Sequence, residues 1–248
     1  LYVLWLMWEL LACPSVAQTE LPVCQTPPGY HTEVIPSPTF REDRTLLTRT
    51  RNEVQQRGEV WRSQDGGLTW SLILVDPWVF QVTVSPHFAS DQTILVLVGE
   101  GLAVSQDGGQ TWVFRSLPGD GFSGNAVITS SGVWFVRLHN ATPWGYDPVR
   151  EGIFVSNDEG VTWRQLYSGK VYALAVSPLF EQDQTLFISP GGYKRNGGIY
   201  RSTDGGATWQ ESNTGLAWGG EYQVSEIAFS SAYAQDHTIY VNSELRLH

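Results

Sequence analysis

The apolar residues of the chain come in short runs, separated by turns rich in Gly, Asp, Ser and Pro. Runs such as Ile94–Val98, Val171–Val176 and Ile239–Val241 are dominated by β-branched, aliphatic and aromatic residues. Runs of this length and composition, bounded by turn-forming residues, predict β-strands. No segment shows sustained helical periodicity, so the pattern predicts an all-β fold.

One turn motif, Ser-x-Asp-Gly-Gly-x-Thr-Trp, recurs four times, with Glu159 in place of the first Gly of the third copy. Asp-Gly-Gly tolerates positive φ, so each copy predicts a tight hairpin turn, slightly strained at Glu159. We expect the Asp carboxylate to accept hydrogen bonds from turn N–H groups and the Trp to cover the gap between neighbouring sheets. This structural role is predicted for Asp65, Trp70, Asp107, Trp112, Asp158, Trp163, Asp204 and Trp209.

A second motif, Ser-Pro-x-Phe-x-x-Asp-x-Thr, alternates with the first. It begins at Ser37, Ser85 and Ser177, returns in a degenerate form at Ser230, and is lost near Ser130. Apolar runs precede and follow both motifs, which gives four strands every roughly 40 to 50 residues, as in a propeller blade. The second motif then joins the first and second strands, and the Ser-x-Asp motif joins the third and fourth. Both motifs therefore lie at one end of the blade, the box face, and the remaining turns and links lie at the other end, the loop face.

The two motifs together resemble the Asp-box (BNR) repeats of exported bacterial β-propellers. Such proteins are often described as similar to photosystem II assembly factors or to the sortilin ectodomain. The resemblance covers residues 37–248 and implies a β-propeller of four-stranded antiparallel blades with Asp-box turns. It does not by itself imply an activity, because one fold hosts many functions.

The repeats account for about four blades and the start of a fifth. An open propeller leaves unpaired strand edges, so we expect the chain to be a fragment of a larger propeller. A four-blade ring closed by the C-terminal strands is the alternative.

The N-terminal segment Leu1–Ala12 is apolar apart from Glu9. It is too short to span a bilayer and predicts a signal peptide or lipoprotein signal over residues 1–17. A linker over 18–36 and a partial propeller over 37–248 follow. Residues 10–13 resemble a lipobox with Cys13 as the lipidated residue, and residues 15–17 resemble an ordinary signal-peptidase site. Both interpretations predict an exported protein, either secreted or lipid-anchored at the bacterial surface; a buried N-terminal strand is the alternative.

The charge and composition of the chain argue against several classes of binding partner. The net charge of −10 disfavours nucleic acid and anionic membranes, which bind basic surfaces. The two cysteines, Cys13 and Cys24, form no Cys/His cluster, and His87, His139 and His237 are scattered along the chain. We therefore predict no metal site and no cofactor.

Long loops and links at the loop face are where we expect a binding site. Five rings there form a candidate aromatic platform for a protein or glycan partner, although for any single ring the favoured explanation is packing of its loop on the blade. The platform residues are Trp144, Tyr146, Tyr193, Trp218 and Tyr222.

The sequence favours a non-catalytic exported scaffold, because it contains no recognisable catalytic set. Asp-box propellers include sialidases, but the Arg-Ile-Pro motif of that family is missing, and no catalytic residue is carried over. The alternative is a sialidase-like or endoglucanase-like glycoside hydrolase with its site completed by further blades, which requires two carboxylates roughly 5 to 10 Å apart. Its candidate acids are Asp76, Asp120, Asp147, Glu151 and Glu221.

Overall fold

The computed structural model describes residues 30–99, 101–118, 122–140, 151–191, 198–214, 216 and 222–245. The chain divides into two compact units, Leu1–Arg115 and Ser116–His248. In the described residues of each unit, the sheets are antiparallel, and strands that follow one another in the chain pair with one another. The antiparallel pairing of consecutive strands that the sequence predicts is thereby confirmed.

The first unit contains two four-stranded sheets among its described residues. Sheet 1 consists of β1 (Tyr30–Pro36), β2 (Leu46–Asn52), β3 (Arg57–Ser63) and β4 (Ser71–Asp76). Sheet 2 consists of β5 (Val79–Val84), β6 (Ile94–Val98), β7 (Gly101–Ser105) and β8 (Val113–Arg115). The apolar faces of the two sheets share one core, which includes Leu47, Val60, Val82, Phe88 and Val96.

The second unit contains two four-stranded sheets and a two-stranded one among its described residues. Sheet 3 consists of β9 (Phe122–Ile128), β10 (Trp134–Asn140), β11 (Gly152–Ser156) and β12 (Arg164–Ser168). Sheet 4 consists of β13 (Val171–Val176), β14 (Leu186–Pro190), β15 (Tyr200–Ser202) and β16 (Gln210–Glu211). Sheet 5 consists of β17 (Tyr222–Phe229) and β18 (Ile239–Leu245). One core joins sheets 3 and 4, and a second joins sheets 4 and 5.

Each Ser-Pro motif contains a single helical turn, which the sequence pattern does not predict. The turns are α1 (Phe40–Asp43), α2 (Phe88–Asp91), α3 (Phe180–Asp183) and α4 (Tyr233–Asp236). In the second copy, the Ser85 hydroxyl accepts the N–H of His87 at 3.0 Å and donates to Asp91 Oδ2 at 2.6 Å, while Asp91 Oδ1 accepts the N–H of Thr93 at 2.9 Å. These bonds account for the Ser and Asp of the motif, and the Thr93 hydroxyl donates to Asp91 O at 3.3 Å. One helical turn is too short to produce a periodic hydrophobic pattern.

Where the Ser-Pro motif is lost, β9 and β10 are joined by a short turn instead. Thr129 N–H donates to Val133 O at 2.9 Å, and Gly132 adopts a φ of 82°. The Glu181 carboxylate of α3 accepts the N–H of Ser131 at 2.9 Å, so the neighbouring sheet of the same unit supports this turn.

The predicted linker over 18–36 needs a correction at its end, because residues 30–36 form β1. This strand pairs antiparallel with β2, from Tyr30 opposite Arg51 to Pro36 opposite Leu46. The sequence pattern places this segment in the linker because Pro36 and the polar residues mask the β-branched Thr32, Val34 and Ile35. No helix among the described residues is long and apolar enough to cross a membrane.

Candidate functional site

The Asp-box carboxylates are occupied by their own turns. Asp107 Oδ1 accepts the hydroxyl of Ser105 at 2.8 Å and the N–H groups of Gln110 and Thr111, both at 2.9 Å, while Oδ2 accepts the Thr111 hydroxyl at 2.5 Å. Equivalent bonds from the box Ser and Thr recur at Asp65, Asp158 and Asp204. Because each carboxylate holds the two ends of its turn together, its role in these turns is structural.

The same hydrogen bonds stabilise the charged form of the aspartates. Burial on its own raises the pKa of Asp65, but the Thr69 hydroxyl, the Thr69 N–H and the Ser63 hydroxyl outweigh it and lower the pKa to about 2. Bonds from Thr162 and Thr208 lower the pKa of Asp158 and Asp204 to about 2 as well. A carboxylate with a lowered pKa is a poor general acid at neutral pH.

Two box tryptophans connect one sheet to the next. The indole N–H of Trp112 in sheet 2 donates to Ile73 O of sheet 1 at 2.8 Å, and that of Trp209 in sheet 4 donates to Leu166 O of sheet 3 at 3.3 Å. Ile73 and Leu166 are the extra residues of β-bulges in β4 and β12. A bulge removes its extra residue from the ladder, so the freed carbonyl is available to the tryptophan of the next box.

The second glycine of the box fits against the same bulged residue. A Cβ at Gly109 would lie 2.7 Å from Ile73 Cδ1, and one at Gly206 would lie 2.8 Å from Leu166 Cδ1. Glu159 has a φ of 56°, which lies in the left-handed region. This backbone conformation agrees with the strain expected at Glu159. In the first box, Trp70 donates within its own turn, to Gly67 O at 3.2 Å.

Half-buried arginines form a second set of links between sheets. Arg49 of β2 donates to the carbonyl oxygens of Val79 and Phe80 at the start of β5. Arg137 takes the equivalent position in β10 and donates to Val171 O of β13 at 3.1 Å and to Asn125 Oδ1 at 2.6 Å. Burial lowers the pKa of Arg137 to about 10, which leaves it charged at neutral pH.

The loop face of the first unit presents an exposed tryptophan that is held in place by its neighbours. Trp78 lies in the link between β4 and β5 and is 56% exposed. The backbone N–H of Trp78 donates to Asp76 Oδ1 at 2.9 Å. Arg51 donates to Pro77 O at 2.8 Å, and its guanidinium lies 4.6 Å from the centroid of the indole ring. Arg51 also contacts Gln56 Oε1 at 3.4 Å in the β2–β3 turn. The link and the turn thus form one polar–aromatic surface, the Trp78 patch, defined by Arg51, Gln56, Asp76 and Trp78.

In the second unit, the described part of the loop face carries the ionisable residues His139, Glu151 and Lys170. His139 Nδ1 lies 3.4 Å from Glu151 Oε1, and the Glu151 residue is only 3% exposed. Lys170 lies 4.9 Å from the Tyr172 ring centroid. Burial and the nearby Lys170 lower the pKa of His139, against the opposing effect of Glu151. Burial therefore favours the neutral form of His139.

The predicted aromatic platform lies almost wholly outside the described residues, so it stays a prediction. This applies to Trp144, Tyr146, Tyr193 and Trp218, and to the side chain of Tyr222, whose backbone begins β17. The lipidation candidate Cys13 and the acids Asp120, Asp147 and Glu221 also lie outside them. The predicted platform does not include Trp78. The feature of the sequence that indicates Trp78 is the tripeptide Asp-Pro-Trp directly after a strand. Within the described ranges, no group of three His, Cys, Asp or Glu residues could hold a metal ion.

Comparison with known proteins identifies the fold. The BNR/Asp-box repeat family model matches residues 200–211, which contain the fourth box. No curated protein sequence matches the chain significantly.

The solved structures similar to this chain include the following three, all at low sequence identity. The GH74 xyloglucanase from Xanthomonas campestris has a TM-score of 0.56 at 19% identity, over 75% of this chain and 32% of that one. The β-propeller domain of the Trilobed protease from Pyrococcus furiosus gives 0.58 at 11%, over 87% and 64%. YCF48 bound to a D1 peptide gives 0.56 at 16%, over 88% and 63%.

These similarities confirm the fold. The chain has an all-β, β-propeller fold of the BNR type, built from four-stranded antiparallel blades with Asp-box turns. It spans about a third of the GH74 enzyme chain and just under two thirds of the other two chains. At these identities the likeness concerns the fold alone.

Proposed function

We propose that the protein is a non-catalytic, exported scaffold that binds a protein partner through its loop face. The observation that carries this proposal is the Trp78 patch, an exposed tryptophan fixed by hydrogen bonds in a protein whose Asp-box carboxylates are occupied by their own turns.

The geometry of the patch suits recognition. Tryptophan and arginine are the residue types most enriched among binding hot spots. Because Asp76 and Arg51 already hold the Trp78 link, little conformational freedom is lost when a partner covers the ring. Val54, in the turn that Arg51 connects to this link, is 94% exposed and adds apolar surface at the same end of the sheet.

A peptide segment is the partner that the observations favour. The net charge of −10 opposes an acidic polymer and favours a neutral or basic partner. The similarity to YCF48, whose structure contains a bound D1 peptide, supports a peptide ligand for a propeller of this kind. Indole and guanidinium groups side by side bind both apolar and carbonyl groups of an extended chain.

Photo-crosslinking tests the binding surface directly. A benzoylphenylalanine at position 54, on the loop face, is compared with one at position 110, in the exposed turn of the second Asp box, in cells of the native host. We expect protein adducts from position 54 but not from position 110, and loss of those adducts in Trp78→Ala. Identical adducts from both positions, or adducts at position 54 that persist in Trp78→Ala, would contradict the proposal.

Export is the second part of the proposal, and it is supported by the apolar N-terminal segment and the lipobox-like sequence before Cys13. Metabolic labelling with a palmitate analogue distinguishes the two predicted forms. Label that disappears in Cys13→Ala indicates a lipid anchor, and unlabelled protein in the medium indicates free secretion. Retention of the unprocessed chain in the cytoplasm would contradict export.

The glycoside hydrolase alternative draws on the fold likeness to GH74 enzymes. Two of its candidate acids are described. Asp76 accepts the N–H groups of Trp78 and Gly99 at 2.9 and 3.4 Å, and Glu151 is buried beside His139. Both acids thus have structural contacts, and release of sugar from a glycoside would be the observation that favours the hydrolase.

A further inference from the structure

We propose that the Trp78 patch is the docking site of a segment of this same chain, residues 21–29, with Pro27 and Pro28 packed against the indole ring. We call residues 21–29 the proline segment. The inference rests on the proposed function, because it takes the Trp78 patch to be a binding surface. It deepens that function by giving the patch an occupant that a partner has to displace.

The repeat itself does not require a tryptophan at position 78. Trp78 directly precedes Val79, the first residue of β5, and Lys170 occupies the same place before Val171, the first residue of β13. Both strands continue with a bulge after this first residue, so the two positions are equivalent. An indole that is 56% exposed, at a position where the repeat accepts a lysine, indicates a role in binding rather than in packing.

Strand β1 starts beside the Trp78 ring. Its first residue, Tyr30, lies opposite Arg51 in the register of β1 and β2. The Arg51 guanidinium in turn lies 4.6 Å from the centroid of the Trp78 ring. Strand β1 also contacts β5, the strand that follows Trp78. The proline segment, which leads into Tyr30, therefore joins the folded sheets at the edge of the Trp78 patch.

The length of the proline segment matches this distance. Pro28 and Pro27 precede Tyr30 by two and three residues. An extended chain spans about 3.3 to 3.6 Å per residue, so the two prolines reach roughly 7 to 11 Å from the start of β1. Their covalent connection to β1 gives them an effective concentration at the patch on the order of millimolar. Cleavage at either of the two predicted processing sites leaves the proline segment on the protein.

The chemistry of the proline segment complements the patch. Residues 21–29 contain three prolines and no charged side chain. Consecutive prolines favour the extended polyproline II conformation, lose little entropy on binding, and pack their rings on aromatic surfaces. Proline has no N–H, so the carbonyl oxygens of the segment are its main hydrogen-bonding groups, and the guanidinium of Arg51 beside the indole is a suitable donor. A competing partner is therefore an uncharged, proline-containing peptide.

Photo-crosslinking within the molecule tests the docking. A benzoylphenylalanine replaces Gln25 in the full-length protein, which is irradiated at high dilution, and the adduct is located by tandem mass spectrometry. We expect the main adduct on residues 76–78, with at least a tenfold lower yield in the double variant Pro27→Ser/Pro28→Ser and in Trp78→Ala. Phe114→Ala, which removes another exposed ring of the same unit, should leave the yield unchanged. No adduct on residues 76–78, or an equal yield in the proline variant, would overturn the inference.

Hydrogen exchange provides a second test that needs no crosslinker. The N–H of Trp78 donates to Asp76 Oδ1 at 2.9 Å, and docking of the proline segment should slow its exchange further. We expect residues 76–82 to exchange at least threefold faster in Pro27→Ser/Pro28→Ser than in wild type. Residues 168–172, which contain the equivalent link before β13, should exchange at the same rate in both. Both substitutions precede β1 and leave the sheets unchanged, so equal exchange of residues 76–82 would refute the docking.

Crosslinking from position 54 in the native host separates this inference from the proposed function. Trp78-dependent protein adducts from that position should rise at least threefold in Pro27→Ser/Pro28→Ser, because the competing segment no longer docks. Adducts that depend on Trp78 but do not change in the proline variant would overturn the inference and leave the proposed function standing. An internal adduct from position 25 without any protein adduct from position 54 would contradict the proposed function alone.

Discussion

Replacing Trp112 by phenylalanine removes the indole N–H that reaches the bulged carbonyl of Ile73 while it keeps most of the apolar ring. The lost bond is 2.8 Å long and joins sheet 2 to sheet 1. Leaving a partly buried carbonyl without its donor costs about 1 to 3 kcal/mol, so we expect a loss of about 2 kcal/mol in the free energy of unfolding. For a chain of this length that corresponds to about 4 to 8 °C in Tm. Trp112→Ala should cost more, about 3 kcal/mol or above, because it also empties the space between the sheets.

Trp70 provides the matched control, because its indole donates to Gly67 O within its own exposed turn. Water can replace that bond, so Trp70→Phe should cost only about 0.5 kcal/mol. Urea unfolding followed by far-UV circular dichroism, which does not depend on the substituted fluorophore, gives both values. Equal losses for Trp70→Phe and Trp112→Phe would refute the idea that the bulge and the next tryptophan work together.

Three further substitutions test the packing of the box glycine, the box carboxylate and the arginine link between sheets. Gly109→Ala should cost at least 1 kcal/mol more than Gly132→Ala in urea unfolding, because both glycines have positive φ but only Gly109 has a neighbour, Ile73, within contact of the new methyl group; equal losses would contradict this. Asp65→Asn should destabilise the protein above pH 4, and its difference from wild type should shrink as the pH falls from 4 to 2, because the folded pKa lies below the unfolded one; a difference that grows in this window would reverse the assigned sign. Arg137→Lys should cost about 1 to 3 kcal/mol, since one ammonium cannot replace the bonds that the guanidinium makes, and an unchanged Tm would contradict that role.

The parts of the fold that local sequence determines were predictable. The hydrogen bonds of an Asp box lie within five residues, so the Ser, Asp and Thr at fixed spacing are enough to specify the turn. The order of strands follows because short connections make successive strands neighbours. The helical turns were missed because four residues leave no periodic signal, although their Ser, Asp and Thr were visible in the motif.

Features that depend on packing between sheets were not predictable. The bulge at Ile73 has no residue signature of its own, and its purpose becomes visible only beside Trp112, which lies 39 residues away. The Trp78 patch likewise depends on Arg51, which comes from a different strand. The predicted platform contains five rings from loops and links, and their side chains lie outside the described residues, whereas the exposed Trp78 lies in the short link between β4 and β5.

A turnover assay with the full-length protein, including any blades beyond these 248 residues, tests the non-catalytic scaffold most directly. Xyloglucan and a panel of chromogenic glycosides are incubated with wild type, Asp76→Asn and Glu151→Gln, and released reducing ends or chromophores are measured against a buffer blank. The account predicts no release above the blank for any of the three proteins. Turnover that rises in proportion to wild-type concentration and is lost in Asp76→Asn or Glu151→Gln would contradict it and establish a hydrolase.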